Sequence, residues 1–158
     1  MRVGIGYDSH RLAPGRRLIL GGVEIPFERG LLGHSDGDAL THAIIDAVLG
    51  AMGAGDIGRH FPDSDPRWKD ASSVEMLRHI VGLARGCGLE VAWIDSNILA
   101  ERPRMAPFIE AMREALAESG IPSGRINIKA KTDEGMGFVG RGEGIVAQAV
   151  CLLKKQSV

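Results

Sequence analysis

The chain has 158 residues, 44% of them hydrophobic and 25% charged, and its 19 basic and 20 acidic residues leave a net charge of −1. This length accommodates one globular domain spanning 1–158, and the near-neutral balance argues against a nucleic-acid-binding protein or a basic membrane-surface protein. Because no apolar run approaches the roughly 20 residues of a spanning helix and no signal segment precedes the first strand-like alternation, the sequence predicts a cytoplasmic protein.

Hydrophobic periodicity and turn residues predict the elements of the first half of the chain. In chain order these are a strand over 2–8, a hairpin over 17–25 that turns at Gly21-Gly22, a helix with Ser35 or Asp36 as its N-cap, a Gly- and Asp-rich loop from Gly53, and a helix opened by the capping-box pair Ser72 and Glu75.

The second half alternates strands with one further helix. The predicted elements are a strand over 89–101, a helix over 107–118, a strand over 126–130 and a closing strand over 144–153. Interleaved strands and helices together with hairpin neighbours favour an α+β fold, in which helices pack on one face of a mixed β-sheet. If the other face is also apolar, another subunit is its natural cover.

Asp8 and His10 raise the question of a metal site at the start of the chain. Side chains at i and i+2 of a strand emerge on one face, so this carboxylate and imidazole can converge on one ion. His42 on the first predicted helix could supply a third ligand, with Asp38 or Asp46, one turn away on either side, orienting its ring. Three protein ligands leave a fourth tetrahedral position open, which is the catalytic rather than the structural pattern.

The alternative interpretation of these residues needs no metal. An Asp-x-His pair is common in proteins, and the acidic stretch 34–65 could consist of solvated or turn-capping residues. His34 could pack under a loop, Thr132 could merely end a strand, and Arg102 with Arg104 could be solvated surface charge.

Four segments of the chain resemble one known family. They are GYDSH at 6–10, GLLGHSDGDALTHAIIDAVLGA at 30–51, GDIGRHFPDSDP at 55–66 and KTDEGMGFVGRGEGI at 131–145. Together, in this order, they closely resemble the 2-C-methyl-D-erythritol 2,4-cyclodiphosphate synthases of the non-mevalonate isoprenoid route. The similarity runs from the first strand to the last.

The resemblance implies an activity, metals and an assembly. The reaction would convert 4-diphosphocytidyl-2-C-methyl-D-erythritol 2-phosphate to the 2,4-cyclodiphosphate with release of CMP. A zinc ion would bind Asp8, His10 and His42, and Mg²⁺ or Mn²⁺ would bind the substrate's diphosphate. The protein would be a homotrimer that buries the free sheet face and has active sites between subunits, and an isoprenoid diphosphate could occupy a cavity on the threefold axis.

The resemblance also implies site residues. His34 and Thr132 correspond to the family's polarising groups. The implied substrate contacts are Asp8, Ser9, His10, His34 and Ser35; Asp56, Ile57, Gly58, Phe61, Pro62, Asp63, Ser64 and Asp65; Ala100, Glu101, Arg102, Pro103, Arg104, Met105 and Ala106; and Lys131, Thr132, Asp133, Glu134, Phe138 and Arg141. The chain departs from the family at Asp133, where Thr or Asn is common, and at Gly135-Met136, where Lys-Leu is common.

The residue types suit this chemistry independently of the resemblance. The chain has no nucleophile elbow, phosphate-binding P-loop or reactive-cysteine motif, and a phosphate that attacks within its own substrate needs no protein nucleophile. Metal ions and oriented donors would bring the phosphates together and stabilise the leaving CMP. Two other hypotheses remain open at this point: a metal-dependent nucleotide phosphohydrolase and a non-catalytic trimeric binding protein with a structural metal.

Overall fold

The computed structural model describes residues 1–62 and 64–156, so the predicted substrate contact Asp63 lies outside the described residues. Its strands are β1 (Arg2–Pro14), β2 (Leu18–Leu20), β3 (Val23–Ile25), β4 (Arg29–Leu31), β5 (Leu89–Leu99), β6 (Ile126–Lys131) and β7 (Gly144–Lys155). Its α-helices are α1 (Ala39–Met52), α2 (Ile57–His60), α3 (Ser73–Gly86), α4 (Ile109–Ala117) and α5 (Gly137–Gly140). Short 3-10 helices cover Pro66–Trp68, Ala106–Phe108 and Ser123–Arg125.

Five strands form one mixed sheet in the order β4-β1-β7-β5-β6. Strand β1 runs antiparallel to β4 and β7, and β5 runs antiparallel to β7 but parallel to β6. Helix α1 packs on β1 and β7, and α3 packs on α1 and β5. The predicted α+β class with a mixed sheet is therefore confirmed. Within the described part of the chain, no helix has both the length and the apolar character needed to cross a membrane.

Two glycines allow α1 to lie directly on β1. A Cβ atom at Gly6 would lie 1.8 Å from the carbonyl oxygen of Ala43, and one at Gly4 would lie 2.0 Å from that of Ala47. Because both distances are far below any van der Waals contact, only glycine permits this approach of helix backbone to strand backbone. The close packing brings His42, the residue before Ala43, to the face of β1 that carries Asp8 and His10.

The opposite face of the sheet carries a cluster of exposed apolar side chains in the single chain. Val3, Ile5 and Tyr7 on β1 are 68%, 75% and 54% exposed, and Trp93 on β5 and Val150 on β7 are each 45% exposed. The strand pairing places Ile5 beside Val150, and Leu152 between Val3 and Trp93, so these side chains form one patch across β1, β7 and β5. A contiguous apolar patch of this kind marks an interaction surface.

The predicted hairpin is present and is fastened to the start of α1. Strands β2 and β3 pair antiparallel, with Gly21 and Gly22 at the turn, both at positive φ. The fully buried Asp38 accepts hydrogen bonds from the backbone N–H groups of both glycines, at 2.9 and 2.7 Å. It also caps α1 by accepting from the Thr41 N–H at 2.9 Å. The prediction of Ser35 or Asp36 as the N-cap was wrong, because Asp38 satisfies the helix and the hairpin together.

Other boundaries also differ from the prediction. Strand β1 continues to Pro14 because its second half pairs with β4 as well as with β7, so Asp8 and His10 lie in the middle of the strand. Ser72 is the N-cap of α3 but makes no side-chain cap hydrogen bond. The predicted capping box is thus not formed, since Glu75 pairs with Arg78 at 2.7 Å instead.

Candidate active site

Asp8, His10 and His42 meet at the middle of β1. The Asp8 carboxylate oxygen Oδ2 lies 2.8 Å from His10 Nε2 and 3.0 Å from His42 Nδ1. The two imidazole nitrogens lie 3.3 Å apart, and all three ligand atoms lie within 4.8 Å of one another. The predicted convergence of the three side chains is therefore present in the fold.

Each histidine holds its other ring nitrogen against a hydrogen-bond partner. His10 Nδ1 contacts the carbonyl oxygen of Leu32, whereas His42 Nε2 lies 3.0 Å from Ser35 Oγ and 2.9 Å from Ser73 Oγ. In a histidine that binds a metal through one ring nitrogen, the other ring nitrogen is characteristically paired in this way with an outer partner that fixes the tautomer. One carboxylate and two imidazoles, each with its free donor atom aimed at one point, fit a divalent metal ion with an open coordination position.

The expected orienting acids of His42 have other roles. Asp38 binds the hairpin and the start of α1, and Asp46 accepts a hydrogen bond from the Ile57 N–H at 2.7 Å. The prediction that Asp38 or Asp46 orients the ring was wrong: the partners of His42 Nε2 are the two serine hydroxyls.

Electrostatics within the cluster keep Asp8 ionised. Burial alone would raise the pKa of Asp8, but hydrogen bonds from His10 and His42 outweigh it and hold that pKa well below its usual range. Burial would lower the pKa of His10, whereas the hydrogen bond and negative charge of Asp8 raise it, with a net increase. A metal ion entering the site would therefore displace a proton from an imidazole rather than from the carboxylate.

A cavity of about 380 Å³ adjoins the three side chains. The predicted residues that line it are Asp8, His10, His34, Ser35, His42, Ile57, Gly58 and Phe61. Sequence reasoning missed three further lining residues, Gly33, Trp68 and Met76. Among the described residues, His34 Nε2 is buried with no hydrogen-bond partner, so its hydrogen-bonding capacity is unmet within the chain.

A second cavity, of about 640 Å³, collects another group of predicted residues. It is lined by residues 100–106 and 130–132 together with Phe27. The predicted segment with Arg102 and Arg104 thus faces the predicted Lys131 and Thr132 across one cavity. Phe27 and Ala130 were not predicted, and only the position of Ala130 next to Lys131 could have indicated it.

The two cavities share no lining residue. Asp8 pairs with Ala147, which pairs with Ile98, which pairs with Ala130, so one row of residues crosses four strands from the metal cluster to the second cavity. Three strand spacings separate the ends of this row, about 14 Å. A single chain therefore holds the two parts of the predicted site apart, three strand spacings from each other.

Several predicted residues line neither of these two cavities. They are Ser9, Asp56, Pro62, Ser64, Asp65, Asp133, Glu134, Phe138 and Arg141. Ser9 is exposed and alternates with Asp8 and His10, so its side chain emerges on the opposite face of β1.

Three of these residues have evident structural roles. Asp56 caps α2 by accepting a hydrogen bond from the Arg59 N–H at 3.0 Å. Asp65 caps a 3-10 helix and pairs with Arg67 at 2.6 Å, as the turn interpretation of this residue expected. The third, Arg141, pairs with Glu143 at 2.6 Å.

Arg16 is a positioning residue that the sequence did not indicate. Its guanidinium donates hydrogen bonds to the carbonyl oxygens of Leu31, Gly33 and Ser35, at 3.3, 3.3 and 3.4 Å. These bonds hold the loop that carries His34. No sequence signal identified Arg16, because its acceptors are backbone atoms.

Fold and cluster together define a candidate metal-dependent enzyme with a two-part ligand site. The sequence profile of the YgbB family matches residues 1–154, and the chain belongs to this family.

Relatives of known name cover the whole chain. A protein of Trichlorobacter lovleyi named 2-C-methyl-D-erythritol 2,4-cyclodiphosphate synthase is 59% identical over 157 residues, which are 99% of this chain and 100% of that protein. A solved structure of 2C-methyl-D-erythritol-2,4-cyclodiphosphate synthase in a CDP-bound form is 41% identical, with a TM-score of 0.88 over 97% of this chain and 100% of that one. The bifunctional IspDF of Campylobacter jejuni is 40% identical, with a TM-score of 0.94 over 99% of this chain but 42% of that longer one.

Proposed function

We propose that this protein is a 2-C-methyl-D-erythritol 2,4-cyclodiphosphate synthase, which converts 4-diphosphocytidyl-2-C-methyl-D-erythritol 2-phosphate to the cyclic diphosphate and CMP. The observation that carries the proposal is the convergence of Asp8, His10 and His42 in a chain that matches synthases of this name along its whole length. As a phosphorus-oxygen lyase, it would belong to the non-mevalonate route of isoprenoid synthesis.

The reaction is an intramolecular phosphoryl transfer. An oxygen of the 2-phosphate attacks the β-phosphorus and forms the new P–O bond, while the bond from the β-phosphorus to the bridging oxygen breaks and its electron pair leaves on CMP. Because the attacking phosphate is already anionic near neutral pH, the protein needs neither a nucleophile nor a strong base. Its tasks are to align the two phosphates, stabilise the leaving charge and exclude water.

Metal ions would supply the main charge stabilisation. We assign zinc to Asp8, His10 and His42 and Mg²⁺ or Mn²⁺ to the substrate's diphosphate, both acting as Lewis acids on phosphoryl oxygens. The donor set favours zinc, since two imidazoles and one carboxylate are typical of its catalytic sites.

The remaining assignments follow from the two cavities. His34, whose Nε2 has no partner among the described residues, would donate a hydrogen bond to a phosphate oxygen. Thr132, whose hydroxyl donates a hydrogen bond to Glu134 Oε1 at 3.2 Å in the free chain, would turn that donor to the diphosphate at the second cavity when substrate binds. The segment 100–106 would receive the cytidine, with the positive charges of Arg102 and Arg104 beside the diphosphate.

A homotrimer would complete this site. The exposed apolar face of β1, β5 and β7 supports burial against other copies of the chain, and the separation of the two cavities supports active sites formed between neighbours. In such a site the metal cavity of one subunit would face the second cavity of the next.

The activity is tested by incubating the protein with the diphosphocytidyl substrate and magnesium. We expect CMP and a cyclic diphosphate in equal amounts, measured by phosphorus NMR; a linear hydrolysis product would contradict cyclisation. The comparisons do not favour the alternative of a nucleotide phosphohydrolase. Turnover of CDP, which lacks the 2-phosphate, would indicate a phosphohydrolase.

The shared site is tested by complementation between two inactive variants. His42→Ala removes a residue of the metal cavity, and Thr132→Ala removes one of the second cavity. Co-expressed trimers with random composition would contain both intact halves at about one quarter of their interfaces, so about one quarter of the wild-type activity should return. If both halves of each site came from one chain, the mixed trimers would stay inactive.

A further inference from the structure

Ser73 contacts the back of the metal cluster without lining its cavity. It is the first residue of α3 and is fully buried, and its Oγ lies 2.9 Å from His42 Nε2. The same hydroxyl donates a hydrogen bond to Asp36 Oδ1, and the backbone N–H of Ser73 donates to Asp36 Oδ2 at 2.9 Å. Asp36, Ser73 and His42 thus form one hydrogen-bonded row that ends at Nε2, the ring nitrogen on the far side from the metal-facing Nδ1.

The number of protons available decides which group donates and which accepts at each hydrogen bond of this row. Nδ1 is the nitrogen of His42 that faces Asp8, and a cation bound there takes its lone pair, so in the metal-bound form the ring proton must be on Nε2. A carboxylate only accepts hydrogen bonds, so Asp36 takes the hydroxyl proton of Ser73 and leaves the lone pairs of Ser73 Oγ for the Nε2 proton. In the alternative tautomer the proton is on Nδ1 and Nε2 needs a donor, which Ser73 cannot supply because its proton goes to Asp36.

We propose that Asp36 and Ser73 hold His42 in the tautomer that binds the metal, with Ser73 as a positioning residue for metal affinity. The inference rests on the proposed metal at Asp8, His10 and His42. Outer partners of this kind raise the basicity of the imidazole and fix the ring plane, and their loss weakens metal binding about 10- to 100-fold.

Ser35 is the second acceptor near the same nitrogen. Its Oγ lies 3.0 Å from His42 Nε2, but it lines the metal cavity and we assign it to substrate contact. Because Ser35 can still accept the Nε2 proton after Ser73 is removed, we expect Ser73→Ala to weaken binding by about 10-fold, the lower end of the range.

The test compares zinc affinities of full-length variants by competition with a chromophoric chelator. Ser96→Ala is the matched control: Ser96 is 1% exposed, and its Oγ donates to the carbonyl of Asn127 at 2.9 Å, outside the metal cavity. We expect the Kd of Ser73→Ala to rise about 10-fold and the visible spectrum of its Co²⁺ form to change, while Ser96→Ala stays within about twofold of wild type. Ser73→Thr, which keeps the hydroxyl, should restore most of the affinity.

The outcomes separate this proposal from the metal site itself. Unchanged affinity in Ser73→Ala, or equal weakening in Ser96→Ala, would overturn the role of Ser73. A wild-type protein that binds no zinc would instead overturn the metal site on which the inference rests.

A measurement on the wild-type protein does not depend on the folding of the Ser73 variants. In the zinc-loaded protein labelled with ¹⁵N-histidine, we expect the resonance of His42, identified by its absence in His42→Ala, to show a metal-bound Nδ1 and a protonated Nε2. A metal-bound Nε2 or a protonated Nδ1 would refute the proposal.

Discussion

Asp8 and His10 control each other's charge. Asp8 sits within hydrogen-bond distance of both imidazoles, which keeps its carboxylate ionised and makes His10 more basic than an ordinary histidine. In the metal-free protein this pairing stabilises the protonated form of His10. When both rings are neutral, the three side chains can each offer a lone pair to a cation. Protons and a metal ion therefore compete for the same ligand atoms.

The zinc affinity should therefore depend on pH, and protonation of His10 should make it fall as the pH is lowered. Its raised pKa means that the ring begins to be protonated above 6.5, so the apparent zinc affinity should fall as the pH drops through this window, by up to about tenfold per pH unit. Asp8 adds no pH dependence there, because its pKa lies well below its usual range. Zinc titrations between pH 8 and pH 5 measure this. A pH-independent affinity would contradict the expected competition.

The stability of the metal-free protein should have the opposite pH dependence. A raised histidine pKa contributes stability that is complete below the ordinary value of 6.5 and is lost as the pH rises through the raised pKa. Chemical denaturation of the chelator-treated protein at several pH values tests this, and His10→Gln should remove this component.

Removing His42 tests whether the metal is catalytic or structural. The fold has a large core that does not depend on this side chain, so His42→Ala should abolish tight zinc binding and lower the rate by roughly 10³-fold while the protein stays folded. Metal analysis, circular dichroism and CMP release measure the three effects. His79→Ala, a change of the same type at an exposed residue of α3, is the control. Loss of the fold in His42→Ala would favour a structural metal.

At the scale of elements, the site depends on how closely α1 lies on β1. Gly6→Ala would place a methyl group 1.8 Å from the Ala43 carbonyl oxygen, a backbone atom of a packed helix that cannot rotate away. We expect the free energy of unfolding to fall by about 2 kcal/mol or more. Zinc binding should weaken as well, because His42 moves away from Asp8.

A glycine on a free helix surface provides the control for this prediction. Gly82 in α3 is exposed and has open space where a Cβ would stand, so Gly82→Ala should stabilise the protein by about 0.5 to 1 kcal/mol. Urea denaturation measures both variants. Equal effects of Gly6→Ala and Gly82→Ala would contradict the packing argument.

At the scale of the whole molecule, the uncovered sheet face should determine assembly. Ile5 is 75% exposed at the middle of the apolar patch, and a lysine there would put a charge into the interface of the proposed trimer. We expect Ile5→Lys to convert the proposed trimer to monomers and to abolish activity, because each monomer would keep two separate half-sites. Sedimentation velocity measures the mass.

Leu83 supplies the matched control for assembly. It is 38% exposed on α3, which packs on the other side of the sheet, so Leu83→Lys adds the same charge away from the apolar patch. This variant should remain trimeric. Dissociation of both variants would indicate that the subunits meet through the helices rather than through the sheet.

Local patterns predicted the elements well where neighbours in sequence decide the structure. The alternation along β1 and the Gly21-Gly22 turn were sufficient, since strand faces and tight turns depend on a few adjacent residues. The N-cap of α1 was predicted wrongly because several acids and serines compete for that role. Asp38 takes it through additional bonds to the hairpin, which no local pattern reveals.

The sequence by itself determined the α+β class, the presence of Asp8 and His10 on one face of a strand, and the family. These properties depend on residue spacing and on segments that can be compared directly. Only the tertiary structure decided that Ser73, 37 residues from Asp36, stands behind His42, and that the predicted substrate residues divide between two cavities. The physical reason is that hydrogen bonds and cavities depend on distances in space, which packing sets between residues far apart in the chain.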